Sequence, residues 1–210
     1  MRRRWAPLIA GAAAVVVGAA TAVGRGRRWD DRLYRALNRD GGPVVDAFFK
    51  GLTELGSIWA SGGAAIALAL RGRRREALDA FGAASAMWLV GQGAKRVFGR
   101  PRPYEAGGDM RLLIARPRGS SWPSSHPAVL LAFVTVAVRD LDARPGTRAA
   151  VVSLAGVVGL SRVYLGVHYP ADVVGGLLLG RGVADLWSGT LSAGILGRAP
   201  SVNLPGTVSR

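Results

Sequence analysis

Cysteine is absent from this chain, and histidine occurs only twice, as His126 and His168. The first absence removes disulfides, thiolate nucleophiles and cysteine-held metals together. Two histidines are too few for a multi-histidine metal centre. Charge is scarce too: Asp, Glu, Lys and Arg make up 20% of the 210 residues. Acidic residues are the rarer sign, 13 against 28 basic, for a formal net charge of +15. Any chemistry therefore rests on His, Asp, Ser, Arg and Lys, and no metal or other cofactor is expected.

Apolar residues and glycine fill the space that charge leaves. Hydrophobic residues reach 50%, glycine numbers 30, and the mean hydropathy is +0.23. That profile is too apolar for an ordinary soluble domain and suits a helical membrane protein of one domain's length. The arginines stand in short clusters between apolar runs, at Arg2–Arg4, Arg25–Arg28 and Arg71–Arg75. Such placement fits juxtamembrane anchoring to anionic lipid headgroups, not a nucleic-acid footprint along one helix face.

The apolar runs predict an all-α, polytopic protein with six transmembrane helices. They cover Trp5 to Gly24, Leu52 to Leu70, Ala77 to Phe98, Ser124 to Val138, Ala149 to Val167 and Ala171 to Leu191. The first resembles a signal peptide, with Ala20-Thr21-Ala22 as a cleavage site. Further spans follow it, so it reads as a retained first helix. Arg25 to Lys50 reads as an interfacial amphipathic segment broken at Gly41-Gly42-Pro43. This divides the chain into a first span with interfacial segment (1–50), a core (51–195) and a disordered tail (196–210). Gly156 with Gly159, and Gly176 with Gly180, offer small faces for helix packing. Arg181 and Asp185, spaced i, i+4, read as an ion pair facing the bundle. Six spans place both termini on the cytoplasmic side with the turns at 71–75 and 139–148. The long polar loop, Gly99 to Pro123, then faces outward.

Three polar clusters reach that outer face: Lys95 with Arg102-Pro103, the run Pro123-Ser124-Ser125-His126-Pro127, and Ser161-Arg162 with His168 and Asp172. Ser124 or Ser125 can cap a helix whose first turn tolerates Pro127. A helix start offers free N–H groups and partial positive charge to an anion. Lys95, Arg102 and Arg162 add three cations, a set suited to a phosphoryl group that gains charge during transfer. His168 and Asp172, four apart, have a nucleophile–orienter relationship. His126 suits a general acid that protonates the leaving oxygen.

These residues stand as Lys-x6-Arg-Pro, Pro-Ser-Ser-His and Ser-Arg-x5-His-x3-Asp. In order and spacing the chain resembles the type 2 phosphatidic acid phosphatase superfamily, with Ser125 where glycine is usual. The resemblance implies a multi-pass enzyme of the cell membrane that removes phosphate from a lipid without a metal, at its extracytoplasmic face. Lys95, Arg102, Ser124, Ser125 and Arg162 would hold the phosphate. His168 would attack phosphorus with Asp172 behind it, and His126 would protonate the leaving group. A polyprenyl diphosphate of the undecaprenyl type and a phospholipid phosphate monoester are the substrates implied. Related vanadium-dependent haloperoxidases use the same pocket for vanadate, but they are soluble and larger. From other classes, a non-catalytic binder of lipid phosphates or a transporter would need the cations but not the His–Asp pair.

Overall fold

A computed structural model describes residues 2–106 and 110–188. The expected tail at 196–210 and the end of the expected sixth span lie outside the described residues. Among the described residues every regular element is helical. They are α1 (Arg2–Ala20), α2 (Gly24–Leu37), α3 (Gly42–Glu54), α4 (Ile58–Leu70), α5 (Arg74–Phe98), α6 (Ser125–Asp140), α7 (Pro145–Tyr164) and α8 (Pro170–Leu186), with one short 3-10 turn, Pro103–Glu105.

Local chemistry accounts for most of the boundaries. Proline occupies the first turn of α7 and α8, where its missing N–H is harmless. Helix α5 stops at Gly99, which adopts a left-handed φ of +56°. Helix α4 begins at Ser57, whose Oγ accepts the Ala60 N–H at 3.0 Å.

That last boundary corrects the expected span Leu52 to Leu70. Helix α3 ends at Glu54 and α4 starts at Ile58, with a turn between them. Ser57 caps the new helix. Gly56 lies so close to its neighbours that a Cβ would stand 2.7 Å from His126 Cβ and 2.8 Å from Val158 Cγ1. An unbroken helix would carry the chain past this contact.

Among the described residues no single helix is long and apolar enough to cross a membrane; α1 and α2 pass that test together but meet at 91°. Helices α4, α6 and α8 have 13, 16 and 17 residues, short of the roughly 20 that a bilayer core requires. Helix α5 is longer but carries Arg74, Arg75, Glu76, Asp79, Lys95 and Arg96.

Helix α6 lies at the centre, packed against α5, α7 and α8. The interior between α5 and α6 is built largely of small side chains, Ala80, Ala83, Ala84, Ala128 and Ala132, with Met87 and Val136 as filler. Small residues let backbones approach closely, so dispersion contacts carry this packing. Cβ atoms at Gly176 and Gly180 would each lie 2.4 Å from a carbonyl oxygen at the start of α6, that of the N-cap Ser124 and that of Ala128 respectively. Gly159 packs as tightly on Val173, whereas Gly156 faces open space.

Because the glycine face of α8 turns toward α6, Arg181 and Asp185 turn away from it. Their ion pair forms at 2.8 Å, but on an exposed surface and not facing the bundle. At the end of the bundle holding the 71–73 and 141–144 turns, buried Asp79 accepts from Trp187 Nε1 at 2.6 Å and from Arg139 at 2.8 Å. The opposite end gathers the C-termini of α5 and α7 with the N-termini of α6 and α8.

Candidate active site

At that opposite end a cavity of about 280 Å³ is lined by Lys95, Arg102, Ser125, His126, Arg162 and His168. These are the cations, both histidines and one serine singled out in the sequence. Gly56, Ser57, Trp59, Trp88, Gln92 and Arg118 complete much of the wall. Trp59 is 85% exposed and Trp88 40%, so the wall on the α4–α5 side presents two indoles outward.

Each side chain is fixed by its own element. Arg102 follows α5 in an extended conformation and is buried. Its Nε donates to Gly119 O at 2.9 Å and a terminal nitrogen donates to Val167 O at 2.9 Å. The same terminal nitrogen lies 3.4 Å from His168 Nε2. Arg162, on the last turn of α7, donates to Thr53 Oγ1 at 2.8 Å, and its buried Nε has no partner in the described structure. Ser125 and His126 open α6 beside these cations. Among the described residues the buried hydroxyl of Ser125 has no hydrogen-bond partner, at the position where glycine is usual.

Two of the expected residues stand behind the lining. Ser124 caps α6 with its N–H donated to Asp172 O at 3.0 Å, so that amide is not free to meet an anion. Asp172 is fully buried behind His168, with Oδ2 at 3.5 Å from His168 Nδ1. The contact is long and, among the described residues, Nδ1 makes no hydrogen bond of ordinary geometry, while the Ser121 backbone also acts on the ring. With Nδ1 turned to the carboxylate, the Nε2 lone pair points to Arg102 and the cavity. Burial pushes the His168 imidazole well below the ordinary histidine value, and Arg102, Arg162 and Lys95 push it further. Both effects favour the neutral form of the ring. Ser161 of the same motif bonds back to Val158 O at 2.6 Å and takes no part in the cavity.

Residues 77–192 match the family model described as the PAP2 superfamily. The chain belongs to the PAP2 superfamily. Undecaprenyl-diphosphatase from Sulfolobus acidocaldarius is 34% identical over 99 residues, 47% of each chain. Decaprenylphosphoryl-5-phosphoribose phosphatase from Mycobacterium tuberculosis is 35% identical over 120 residues, 57% of this chain and 64% of the relative. The chain thus spans less than two thirds of the length of the curated relatives it matches, from 36% to 64%. The crystal structure of a transmembrane PAP2 type phosphatidylglycerolphosphate phosphatase from Bacillus subtilis superposes with a TM-score of 0.68. That likeness covers 88% of this chain and 95% of the other at 24% identity, and it speaks for the PAP2 fold.

Within this PAP2 fold, the structure adds residues that sequence reasoning missed. Arg100, Ser121 and Asp30 surround Asp172, and Thr53 holds Arg162. Arg100 donates to Asp172 Oδ1 at 2.6 Å and to Asp30 Oδ2 at 2.6 Å. Ser121 Oγ donates to Asp172 Oδ2, which also accepts the Tyr169 N–H at 2.8 Å. Arg100 carried a signal, standing two residues before Arg102 in the same Pro/Arg run. Asp30 carried none, because it is one acid in a polar helix remote from every motif.

Proposed function

We propose that this protein is an integral-membrane lipid phosphatase that works without a metal, through a phosphohistidine. The observation that carries the reading is the orientation of His168: Asp172 on Nδ1, and Nε2 facing a cavity lined by Lys95, Arg102 and Arg162. A phosphate set among these cations meets the imidazole lone pair at Nε2, on the side of the ring away from Asp172. Nε2 attacks phosphorus and forms the P–N bond as the bond from phosphorus to the lipid oxygen breaks. His126 gives its proton to that departing oxygen. Water then attacks phosphorus, His126 takes the water's proton, the P–N bond breaks and inorganic phosphate leaves. Asp172 stabilises the imidazolium character of His168 between the two steps. The helix start at Ser125 and His126 supplies further positive potential.

Support for a membrane setting comes from the surface. Trp59, Leu70 and Val97 are each more than 80% exposed, and Leu8, Ile9, Ile66, Leu78 and Leu89 are also bare. An apolar surface of this extent is unfavourable in water and favourable in lipid. In the proposed arrangement α1, α4, α5, α6, α7 and α8 cross the membrane and α2 with α3 lies at the interface. The site then faces the extracytoplasmic side, and the Arg clusters meet anionic headgroups. A polyprenyl diphosphate of the undecaprenyl type is the first substrate to try, followed by phospholipid phosphate monoesters.

The test is phosphate release in detergent, with EDTA present, across prenyl diphosphates, phosphatidic acid and phosphatidylglycerol phosphate. The purified protein is expected to turn over at least one class, and His168→Ala to lose at least a thousandfold in kcat, on the order seen when an essential nucleophile is removed. Full activity in His168→Ala sinks the reading. Tight lipid-phosphate binding without turnover makes the protein a binder or transporter instead.

A further inference from the structure

Asp172 has to remain an anion while fully buried, and Arg100 is its counter-ion. The guanidinium is itself buried, its side chain 9% exposed, and it is clasped by two carboxylates at 2.6 Å, Asp172 on one nitrogen and Asp30 on the other. It also lies 4.5 Å over the Tyr169 ring and donates to Thr21 O at 3.3 Å. Asp30 comes from α2, and its second oxygen accepts the Ala171 N–H at the start of α8, at 2.9 Å. The cluster therefore holds two acids and one base. Arg100 alone would neutralise Asp172; shared with Asp30, it leaves the cluster with one net negative charge beside the neutral His168 ring.

We propose that Asp30 is a positioning residue for phosphoryl transfer: by sharing Arg100 with Asp172 it leaves the Asp30–Arg100–Asp172 cluster one net negative charge behind His168, which favours the cationic imidazole once a bound phosphate occupies Lys95, Arg102 and Arg162. The proposal rests on the phosphatase reading above. Attack by Nε2 on phosphorus places positive charge on the imidazole, and the cluster reaches neutrality as that charge forms. Such a charge favours the transition state over the ground state, so it acts on kcat. It leaves phosphate binding to Lys95, Arg102 and Arg162, which Asp30 does not touch. The Asp30–Ala171 bond adds a second route of action, because the same carboxylate fixes the first turn of α8 on which Asp172 stands.

Burial raises the Asp30 carboxyl above the usual carboxylate value and the Arg100 contact opposes the rise, so the test runs at pH 8. Full-length wild type, Asp30→Asn, Asp30→Glu and Arg100→Lys are compared in detergent for kcat, KM, inhibition by vanadate as a phosphate mimic, and Tm. Asp30→Asn keeps the shape and an oxygen for Ala171 but removes the charge. It is expected to lower kcat about tenfold, the order that one charge exerts over a short distance at an effective dielectric of about 20. KM and vanadate inhibition should stay within about twofold, and Asp30→Glu should recover most of kcat. Arg100→Lys keeps a cation but loses the planar fork that clasps two carboxylates, and should show the same split. In an Asp172→Asn background, Asp30→Asn should add little, because its effect runs through Asp172.

A fall in Tm with unchanged kcat in Asp30→Asn, or its full kcat effect persisting in Asp172→Asn, overturns the proposal. Should Asp30→Asn not fold, unchanged kcat in Arg100→Lys overturns it equally. Failure of the phosphatase reading itself looks different: wild type then shows no turnover, or His168→Ala remains fully active.

Discussion

Replacing Gly176 by alanine inserts one methyl between α8 and α6 at the end of the bundle that holds the proposed active site. The new Cβ would lie 2.4 Å from Ser124 O, 3.3 Å from its carbonyl carbon and 3.4 Å from its nitrogen. All three are backbone atoms, so no side chain can swing aside. Real Cβ atoms essentially never come within 3.0 Å of another heavy atom, so the helices must separate by at least about 0.6 Å at this level. The hydrogen bond from Ser124 N to Asp172 O spans the same gap, and His126 and His168 stand on opposite sides of it. Overpacking of this kind costs about 1–3 kcal/mol of stability. For the proposed acid His126 and nucleophile His168, a misplacement approaching 1 Å is expected to lower rate by roughly 10- to 100-fold.

Gly156→Ala is the matched control, also inside a helix but with nothing within 4 Å of the added Cβ. It should gain the helix-propensity increment, about 0.5–1 kcal/mol, with kcat unchanged. The assay is kcat on the best substrate of the lipid panel, together with Tm for both variants. Wild-type kcat in Gly176→Ala refutes the claim that close α6–α8 packing sets the catalytic geometry. Equal loss in Gly156→Ala shows that any added methyl does harm and refutes it as well.

Thr53→Val leaves the Arg162 guanidinium without its hydroxyl partner, which is worth about 1.5–3 kcal/mol for a charged group. KM should rise about tenfold with kcat within about threefold, and a change confined to kcat would contradict that role. Ser125→Gly removes a buried hydroxyl without a partner and should keep activity within about threefold; loss of turnover would show that the hydroxyl reaches the substrate. Since burial and three cations lower the His168 pKa, its neutral form persists as pH falls through 6.5. The acid limb of kcat/KM, corrected for ionisation of the substrate phosphate, should therefore fall below pH 6.5, and a limb centred at or above that value contradicts it.

The helical class and the separate polar clusters were legible in the sequence, because apolar period and motif spacing are local properties. Lys95, Arg102, Ser125, His126, Arg162 and His168 line one cavity, and their spacing already pointed to a shared anion. What spacing does not carry is the partner of a buried charge. Asp30 meets Arg100 across 70 positions and Thr53 meets Arg162 across 109, and neither pair has a local pattern. The break at Gly56-Ser57 was masked by an apolar run that continues through it, although Ser57 is a good N-cap. The outward turn of Arg181 and Asp185 was missed because i, i+4 spacing fixes that two side chains meet, not which way the helix faces.

The two outward indoles beside the cavity, Trp59 and Trp88, set how this protein would meet its substrate. Indole rings settle at the level of lipid headgroups, so in the proposed membrane arrangement they would hold the proposed phosphate pocket at a fixed depth in one leaflet. A lipid at that depth is already concentrated in two dimensions and reaches the pocket by sliding along the surface. For the proposed phosphatase, the governing variable is then the mole fraction of substrate in the bilayer or micelle. Diluting the lipid with inert detergent slows the reaction even when its total concentration is held constant.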